Sequence, residues 1–243
     1  MTLPFRIALA GTDSGLGVEV SDASQLPAAV EALGFHPPLP TVVVVGGAAG
    51  LQEARIDGLR PVFTAGITPV MQRYGAVGVD GGTPFGVMRL FGEARAAMVP
   101  AFPLVGVVAT GPVQLRRGQS FVHAETMLEA HHTHFVVVPG DNWGDEAPWI
   151  ACTATVLAGC ARSITVLIGG GQIAYADVQH SVAAGRRVIV VAGSGGAADV
   201  LADAMAGAAA DPRAVALIGS GLIRVVQQDQ PAHLAELLTE ALG

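Results

Sequence analysis

Seven short runs rich in valine and isoleucine, most of them ending in glycine, constrain the fold of this chain more than any other feature. The runs are almost continuously apolar, whereas a strand with one solvated face alternates apolar and polar residues. Continuous apolar runs are typical of strands that are covered by helices on both faces. They are TVVVVGG (41–47), GAVGVDGG (75–82), FPLVGVVATG (102–111), HFVVVPGD (134–141), SITVLIGGG (163–171), RRVIVVAGSG (186–195) and GLIRVVQQ (221–228).

Segments of helical length lie between most of these runs. They include residues 86–98, 147–161, 175–184 and 197–209. Strands that alternate with helices predict an α/β fold with a doubly wound, mostly parallel sheet and helices on both faces.

The first forty residues show a different pattern. We interpret residues 1–40 as a short strand and a helix, capped by Ser21 or Asp22 and closed by Gly34, followed by the stiff connector FHPPLP. Residues 41–243 then form a single domain, which ends in an amphipathic helix with Pro231 in its first turn.

The composition supports a large core. Hydrophobic residues make up 51% of the 243 residues and charged residues only 14%. No apolar run approaches the roughly 18 residues that span a membrane, and the first residues lack the pattern of a signal peptide, so we expect a cytoplasmic protein. Cys152 and Cys160 are eight residues apart in a predicted helix, which predicts that both lie on one buried face.

The charge balance excludes nucleic acid as an expected partner. The net charge is −7, and the 13 lysine and arginine residues are scattered rather than clustered into a basic patch. An anionic small molecule is compatible with this balance, because backbone N–H groups at a helix N-terminus can hold a phosphate. The apolar composition also allows a homodimer.

The glycine turns predict a ligand crevice. In a parallel sheet the strand-to-helix turns all lie at the carboxyl end, where ligands bind. The segment GGTPFGVM places Gly81, Gly82 and Thr83 before a helix that starts near Gly86. Thr83 either caps that helix or binds phosphate, and Arg89 is a candidate charge partner one turn later. The other candidate ligand-binding glycines are Gly46, Gly47, Gly140, Gly170, Gly171, Gly193 and Gly195.

The segment AGSGGAAD (192–199) matches the pattern G-x-G-x-x-A of dinucleotide-binding folds. It follows a late strand instead of the first one, which argues against a standard nicotinamide dehydrogenase. We predict that Gly193, Ser194 and Gly195 close the crevice. Asp199 either accepts a hydrogen bond from a ribose hydroxyl or only complements the helix N-terminus.

Two further segments carry candidate polar ligands. In PGDNWGDE (139–146), Asp141 and Trp143 are candidates for a ribose contact and for base stacking. The alternatives are a divalent cation bound by carboxylate oxygens, although the spacing matches no calcium loop, or a solvated turn capped by Asp145. In HHTHF (131–135), His132 and His134 would share one strand face, as two metal ligands can, but no third ligand has a suitable spacing. The histidines are instead expected to orient the start of the strand or to line the crevice, so we predict no metal and no cofactor besides the nucleotide.

Candidate catalytic residues are few. The chain has no G-x-S-x-G elbow, and neither cysteine lies in a reactive turn. Asp177 lies about two turns beyond the GGG turn, close enough to face a ligand, where it is either a general acid or base or an ordinary residue of the helix surface. Glu93 is the second candidate carboxylate.

Six segments follow one another along the chain: VVVVGGAAGL, VDGGTPFGVMRLFGEA, FPLVGVVA, HTHFVVVPGDNWGDE, ITVLIGGGQIAYADV and RRVIVVAGSGGAADVLA. In this order they resemble the SLOG superfamily. More closely, they resemble its prokaryotic TRPM-like branch (LSDAT), whose pattern reads GGT-x-x-GVM and later GSGRAAD. The resemblance covers about residues 41–202 and implies a Rossmann-like fold that binds nucleotides, ADP-ribose-like molecules among them. Gly196 occupies the position of the arginine in that second motif.

The same order is more distantly similar to the Lonely Guy phosphoribohydrolases, which cleave the base from nucleoside monophosphates. Their motif PGG-x-GT-x-x-E falls on GGGQIAYAD. There Ile173 and Ala174 replace the phosphate-binding Gly-Thr pair, and Asp177 replaces the catalytic glutamate. The sequence therefore predicts a module that binds an ADP-ribose-like, NAD-like or monophosphate nucleotide. A nucleotide N-glycosidase is the alternative, and a purely structural oligomer component is a third hypothesis.

Overall fold

A single sheet runs through the centre of the computed structural model, which describes residues 3–9, 14–48, 53–117, 122–124, 128–208 and 211–243. Its strands within this part of the chain are β1 (Phe5–Ala8), β2 (Ser14–Glu19), β3 (Thr41–Gly46), β4 (Val77–Asp80), β5 (Leu104–Ala109), β6 (Leu115–Arg117), β7 (Val122–Ala124), β8 (His134–Val138), β9 (Ser163–Ile168), β10 (Arg187–Ala192) and β11 (Ile223–Gln227). Their spatial order is β11-β10-β9-β3-β4-β5-β8-β2-β1-β7-β6. The strands from β11 to β2 are parallel, and antiparallel pairing occurs between β1 and β2 and between β6 and β7.

Helices cover both faces of this sheet. They are α1 (Leu26–Ala32), α2 (Glu53–Pro61), α3 (Thr68–Tyr74), α4 (Gly86–Ala96), α5 (Thr110–Val113), α6 (Ala147–Ala158), α7 (Gln172–Ala183), α8 (Gly196–Met205), α9 (Pro212–Ile218) and α10 (Pro231–Leu242). A π-helical segment, Val62–Ile67, joins α2 to α3, and a 3-10 turn, Ala23–Gln25, precedes α1. One apolar layer contains α1, α6, α7, α8 and α9, and the other contains α2, α3, α4 and α10.

The central strand β3 shows why the strand sequences are continuously apolar. Val43 and Val45 point into one apolar layer, whereas Val42 and Val44 point into the other. All four side chains are buried. Successive residues of a strand face opposite sides, so a sheet with helices on both faces needs an apolar residue at every position. The predicted α/β, doubly wound and Rossmann-like architecture is confirmed.

The strand order reverses at β3. The chain proceeds from β3 to β4 and β5 on one side, and after β8 it crosses to β9 on the other side of β3. In open α/β sheets this reversal opens a crevice at the carboxyl ends of the two flanking strands. The topology therefore places a ligand site next to β3 and β9.

All seven predicted strands are present, as are the predicted helices that correspond to α4, α6, α7, α8 and α10. Ala209, at the end of the predicted range for α8, lies outside the described residues, as do Ala49 and Gly50 of the first glycine turn. Asp22 caps the turn before α1 by accepting a hydrogen bond from the Ser24 N–H. The elements without a prediction include α2, α3 and α9, of which α2 contains Gly58 and ends at Pro61.

The first forty residues contribute to the same sheet and the same layers. Strand β2 pairs with β8, and α1 packs on α6. The side chains of Val18, Leu26 and Val30 are buried in the layer that also contains α6 and α7.

The prediction for the cysteines was wrong. Cys152 and Cys160 are both exposed free thiols. Helix α6 buries its opposite stripe, which contains Ile150, Ala154 and Leu157. An eight-residue spacing places two residues on one helix face but does not say which face is buried.

Among the described residues, every helix is too short or too polar to cross a membrane.

Candidate functional site

A cavity of about 440 Å³ opens at the carboxyl end of β3, next to the point where the strand order reverses. We call it the site cavity. Its walls come from β3, from the turn after β4, and from the first turns of α4, α6 and α7. The lining residues are Val44, Val45, Gly46, Ala48, Gly81, Thr83, Phe85, Met88, Trp143, Glu146, Ile150, Ile173 and Asp177. The volume lies within the range of about 300 to 1,000 Å³ that is typical of small-molecule sites.

Three large apolar side chains at this cavity are exposed. Phe85 is 36% exposed, Ile173 is 42% exposed and Trp143 is 52% exposed. Large apolar side chains left together on a surface indicate an interaction site more strongly than scattered ones do. A ligand in the cavity would therefore contact these apolar side chains.

Two carboxyl groups face the cavity. Asp177 is only 8% exposed, and its carboxylate accepts no hydrogen bond from any described residue. Burial, together with the neighbouring charge of Glu146, raises the pKa of Asp177 to about 7. Burial also raises the pKa of Glu146, although the Gly144 N–H donates a hydrogen bond of 2.9 Å to its Oε2 atom. The cavity thus contains a carboxyl group that exchanges its proton near neutral pH.

Three helices begin at the cavity without a side-chain cap. Helices α4, α6 and α7 start after Phe85, Glu146 and Gly171, and none of these residues forms a capping hydrogen bond through its side chain. The first backbone N–H groups of a helix have no acceptor within the helix and carry a partial positive charge. In α4 the Val87 N–H already donates to the Gly47 carbonyl, and in α6 the Ala147 N–H donates to the Gly144 carbonyl and the next residue is a proline. Helix α7, whose first N–H groups have no backbone acceptor among the described residues, therefore offers the best position for an anionic group of a ligand.

Two glycines allow the walls to approach each other. Gly86 has φ +48°, and a Cβ atom there would lie 2.0 Å from the Gly47 carbonyl oxygen. The same oxygen accepts a hydrogen bond of 2.9 Å from the Val87 N–H. Gly46 is similar, because a Cβ atom would lie 1.9 Å from the Ile168 carbonyl oxygen. These glycines bring the start of α4 and the end of β9 against the turn after β3.

The structure brings five of the predicted site residues together in the cavity lining: Gly46, Gly81, Thr83, Trp143 and Asp177. Gly47, Gly82, Gly86, Gly170 and Gly171 lie in the turns immediately behind it. Thr83 is buried, and its hydroxyl has no partner among the described residues. The structure contradicts its predicted capping role, because Phe85 is the N-cap residue of α4.

Other predicted residues lie away from the cavity lining. Glu93 and Arg89 are on α4, where Glu93 Oε2 accepts a 2.6 Å hydrogen bond from Arg60 and Glu93 Oε1 lies 3.8 Å from Arg89 Nε. Gly140 and Asp141 lie in the loop between β8 and α6. There the Asp145 carboxylate accepts hydrogen bonds from the backbone N–H groups of Asp141 and Asn142, so Asp145 shapes the loop instead of capping α6.

The turn after β10 lies apart from the site cavity. The Ser194 hydroxyl accepts a hydrogen bond from the Gly169 N–H and donates one to the Val191 carbonyl. Asp199 accepts a 2.7 Å hydrogen bond from the Gly193 N–H. Gly193 and Asp199 line a separate cavity of about 490 Å³ formed by α8 and the ends of β10 and β11. Gly195 precedes α8, whose start packs against the turn after β9 through a hydrogen bond from Ala197 to Gly170.

The two histidines do not share a strand face. His132 lies before β8 in a buried network with Asp80 and Glu129. His134 begins β8 and packs against Phe35, with the two ring planes tilted by 55°. No cluster of three or more His, Cys, Asp or Glu side chains within the described part of the chain is arranged to hold a metal ion.

Sequence reasoning missed lining residues such as Phe85 and Ile173, and it named Glu146 only as one of the clustered carboxylates of PGDNWGDE, beside Asp141 and Asp145. Phe85 and Ile173 lie in the glycine-rich segments GGTPFGVM and GGGQIAYAD, where the predicted ligand contacts rested on the glycines and not on the neighbouring apolar residues. Glu146 is the last residue of PGDNWGDE, and its position directly before a predicted helix was the available signal.

Two solved structures share this fold. The structural-genomics target protein TM1055 superposes with a TM-score of 0.50 at 19% identity, and the match covers 82% of this chain and 99% of that chain. The molybdenum cofactor carrier protein from Chlamydomonas reinhardtii has a TM-score of 0.53 at 13% identity, with 83% and 99% of the two chains covered. At these identities the likeness shows the fold.

A match to a family model identifies the family of this chain. The family model described as SLOG in TRPM, prokaryote, matches residues 39–236. The match begins just before β3 and ends within α10, so it spans the site cavity and both layers of helices. Because the match covers most of the chain, this protein belongs to the prokaryotic family of TRPM-related SLOG domains.

Proposed function

We propose that this protein binds a nucleotide-derived ligand of the ADP-ribose, NAD or nucleoside monophosphate kind in the site cavity. The observation that carries the proposal is that apolar walls and the starts of three helices meet at one cavity, and that the first backbone N–H groups of α7 have no backbone acceptor among the described residues. A nucleotide combines the two matching chemistries, a flat base and an anionic phosphate. Family membership supports the same class of ligand.

The apolar part of the cavity suits the base. Val44 and Ile150 lie in the lining, and Trp143 and Phe85 are exposed at the cavity. Stacking of a base on an aromatic ring contributes about 1 to 3 kcal/mol and tolerates any base. We therefore place the base among these side chains.

The helix N-termini suit the phosphate. Among the described residues that line the cavity, none is lysine or arginine. Backbone N–H groups at helix N-termini bind phosphate without basic side chains. The Thr83 hydroxyl, at the cavity near the start of α4, supplies a further donor.

The direct test is thermal stabilisation by ADP-ribose, NAD, AMP and cyclic nucleotides. We expect at least one of them to raise the melting temperature, because a ligand that binds only the folded state stabilises it. The Thr83→Val variant should reduce this shift. Thr153→Val is the matched control, since the Thr153 hydroxyl, like that of Thr83, has no partner among the described residues, whereas Thr153 lies outside the cavity lining. If none of these ligands stabilises the protein, or if both variants respond alike, the proposal is wrong.

A second candidate function, hydrolysis of the N-glycosidic bond, is favoured by Asp177. A buried carboxyl group with a pKa of about 7 can hold a proton at neutral pH and donate it. In the reaction, the bond between the anomeric carbon and the base nitrogen breaks, Asp177 protonates the leaving base, and water adds to the anomeric carbon. The second carboxylate, Glu146, would accept the proton of that water.

Chromatography of the same mixtures separates the two functions. Stabilisation without released base supports binding alone. Release of base that disappears in Asp177→Asn, while ligand stabilisation persists in that variant, would establish hydrolysis. Glu93→Gln is the control, because Glu93 is on α4 outside the cavity lining and pairs with Arg60.

A further inference from the structure

A buried chain of three ionisable side chains lies directly beneath the turn after β4. His132 Nε2 is 2.7 Å from Asp80 Oδ1, and His132 Nδ1 is 2.8 Å from Glu129 Oε2. All three residues are buried, with exposures of 3%, 0% and 2% for His132, Asp80 and Glu129. None of the three belongs to the lining of the site cavity.

The geometry indicates that His132 is an imidazolium. A neutral imidazole has a single N–H group, so one of its two nitrogens would direct a lone pair at a carboxylate oxygen. The imidazolium donates from both nitrogens and satisfies both contacts. Burial alone lowers the pKa of His132, but the charges and hydrogen bonds of Asp80 and Glu129 outweigh it and raise this pKa to about 9.

Further charged groups face the same chain of side chains. His131 Nδ1 lies 2.7 Å from Glu129 Oε1, and Arg95 of α4 interacts electrostatically with Glu129. The Asp80 Oδ2 atom is buried and has no partner within the described part of the chain. Asp80 therefore relies on His132 for compensation of its charge.

The network holds the backbone of the turn on both sides. Asp80 Oδ1 accepts a 2.7 Å hydrogen bond from the Gly82 N–H, and the Gly82 carbonyl accepts one of 3.0 Å from the Glu129 N–H. The neighbours of Gly82 in the chain, Gly81 and Thr83, both line the site cavity. The two hydrogen bonds of Gly82 thus connect the network to the cavity wall.

The network also seats helix α4. A Cβ atom at Gly92 would lie 2.1 Å from Glu129 Oε2. The helix can pass directly over the Glu129 carboxylate because Gly92 has no side chain. One turn later, Arg95 Nη1 donates a 2.9 Å hydrogen bond to the His131 carbonyl. Helix α4 contributes Met88 to the cavity lining and begins beside it.

We propose that Asp80, His132 and Glu129 form a protonated clamp that positions the turn of Gly81, Gly82 and Thr83, together with the start of α4, for ligand binding. We call this unit the turn clamp. Its effect on the ligand rests on the proposed function, whereas its effect on the turn does not. His132 acts as a positioning residue, because it touches neither the cavity nor a ligand in it.

Amide hydrogen exchange tests the clamp without any ligand. In His132→Asn the two buried carboxylates lose the cation between them, so we expect the Gly82 and Glu129 amides to exchange at least about tenfold faster than in a control of equal global stability. Leu217→Ala is that control, since Leu217 is buried in α9, on the other face of the sheet from α4. Equal exchange of these two amides in both variants would overturn the proposal.

The wild-type protein provides a second test that does not depend on the folding of a variant. The ¹⁵N resonances of the His132 ring should report an imidazolium from pH 6 to pH 8, and exchange of the Gly82 amide, corrected for its intrinsic pH dependence, should accelerate as the proton leaves at higher pH. A neutral His132 ring at pH 7 would overturn the proposal.

The ligand measurement distinguishes this inference from the proposed function. ADP-ribose, NAD or AMP should stabilise Leu217→Ala as much as wild type and His132→Asn less. If no nucleotide stabilises wild type, the proposed function fails while the exchange data still decide the clamp. If nucleotides stabilise all three proteins equally, the clamp does not position the site.

Discussion

At the scale of single residues, Asp177 couples the chemistry of the site to the stability of the fold. Its carboxyl group is buried, and its pKa in the folded protein is about 7, against an ordinary value of 3.8. An acid whose folded pKa is raised binds its proton more tightly in the folded than in the unfolded state. Its stability contribution is therefore fully present below pH 4 and is lost as the pH rises to 7.

We predict that Asp177→Asn removes this dependence. Asparagine keeps the shape of the side chain but carries no charge, so the variant should be more stable than wild type at pH 8, by about 1 to 4 kcal/mol, and similar to it at pH 4. Denaturant unfolding at both pH values measures the two free energies. An equal loss of stability between pH 4 and pH 8 in both proteins would contradict the assignment of the raised pKa.

Gly86 tests the packing of the turns at the same scale. Gly86→Ala combines a left-handed backbone with a Cβ atom placed 2.0 Å from the Gly47 carbonyl oxygen, and we expect it to cost about 2 to 4 kcal/mol of unfolding free energy. Gly185→Ala is a matched control. Gly185 also has a positive φ, of +69°, but a Cβ atom there meets nothing within 4 Å, so the cost should be about 1 kcal/mol. Thermal and denaturant unfolding compare the two, and equal losses would show that the close approach of the turns is unimportant.

At the scale of elements, the loop between β8 and α6 contributes the most exposed aromatic side chain at the cavity. The chain has two tryptophans, Trp143 in this loop and Trp149 in α6. Trp143 is 52% exposed at the cavity, and Trp149 packs against the apolar layer beneath α6. Of the two tryptophans, only Trp143 is therefore in a position to stack on a bound base.

We predict that a nucleotide ligand changes the fluorescence of Trp143 alone. Titration with ADP-ribose or AMP should quench the emission of wild type and of Trp149→Phe to a similar absolute extent, because a stacked base quenches the indole it touches. Trp143→Phe should show no quenching and should bind more weakly, by about 1 kcal/mol or more. Quenching that persists in Trp143→Phe would place the base elsewhere.

The same loop and its neighbours show how far sequence reasoning reaches. The strands β3, β4, β5, β8, β9 and β10 were predictable because burial on both faces leaves a continuous apolar pattern, whereas the edge strand β11 is only partly buried. The glycine turns predicted a crevice at the edge of the sheet where the site cavity opens. Asp177, predicted about two turns beyond the GGG turn, lies in α7 and lines the site cavity. The residues of one turn are close together in the chain, so their sequence pattern is sufficient to predict the turn.

Contacts between distant segments were not predictable in this way. The pairing of Asp80 with His132 joins residues that are 52 positions apart, and nothing in either local pattern indicates it. The same reason explains Ser194, which reads as a ligand contact but whose hydroxyl bonds to the backbone of a neighbouring turn. The prediction for the cysteines of the α6 region was wrong for a related reason. Periodicity indicates that two residues share a helix face, but tertiary packing decides which face is buried.

At the scale of the whole molecule, the first forty residues determine whether the sheet has a protected edge next to β8. Strand β2 pairs with β8 along its length, and β1 and β7 continue the sheet beyond it. Helix α1 covers part of α6 with Leu26, Ala29 and Val30, which are all buried. The family match begins at residue 39, after β1, β2 and α1. The apolar surface that these three elements bury therefore lies outside the matched part of the chain.

We predict that these three elements are required for stability. A chain starting at residue 39 would expose the edge of β8 and the apolar face of α6, and full burial of each large apolar side chain contributes about 1.5 to 3 kcal/mol. We expect the truncated chain to melt at a lower temperature or to aggregate.

Because aggregation of the truncated chain alone is ambiguous, the Leu26→Ala variant of the full chain provides a quantitative test. It should cost about 2 to 5 kcal/mol of unfolding free energy, whereas Val215→Ala, at a position that is 57% exposed, should cost no more than about 0.5 kcal/mol. A truncated chain that melts at the full-length temperature, together with a Leu26→Ala variant as stable as Val215→Ala, would show that the first forty residues are an independent decoration of a domain that is stable without them.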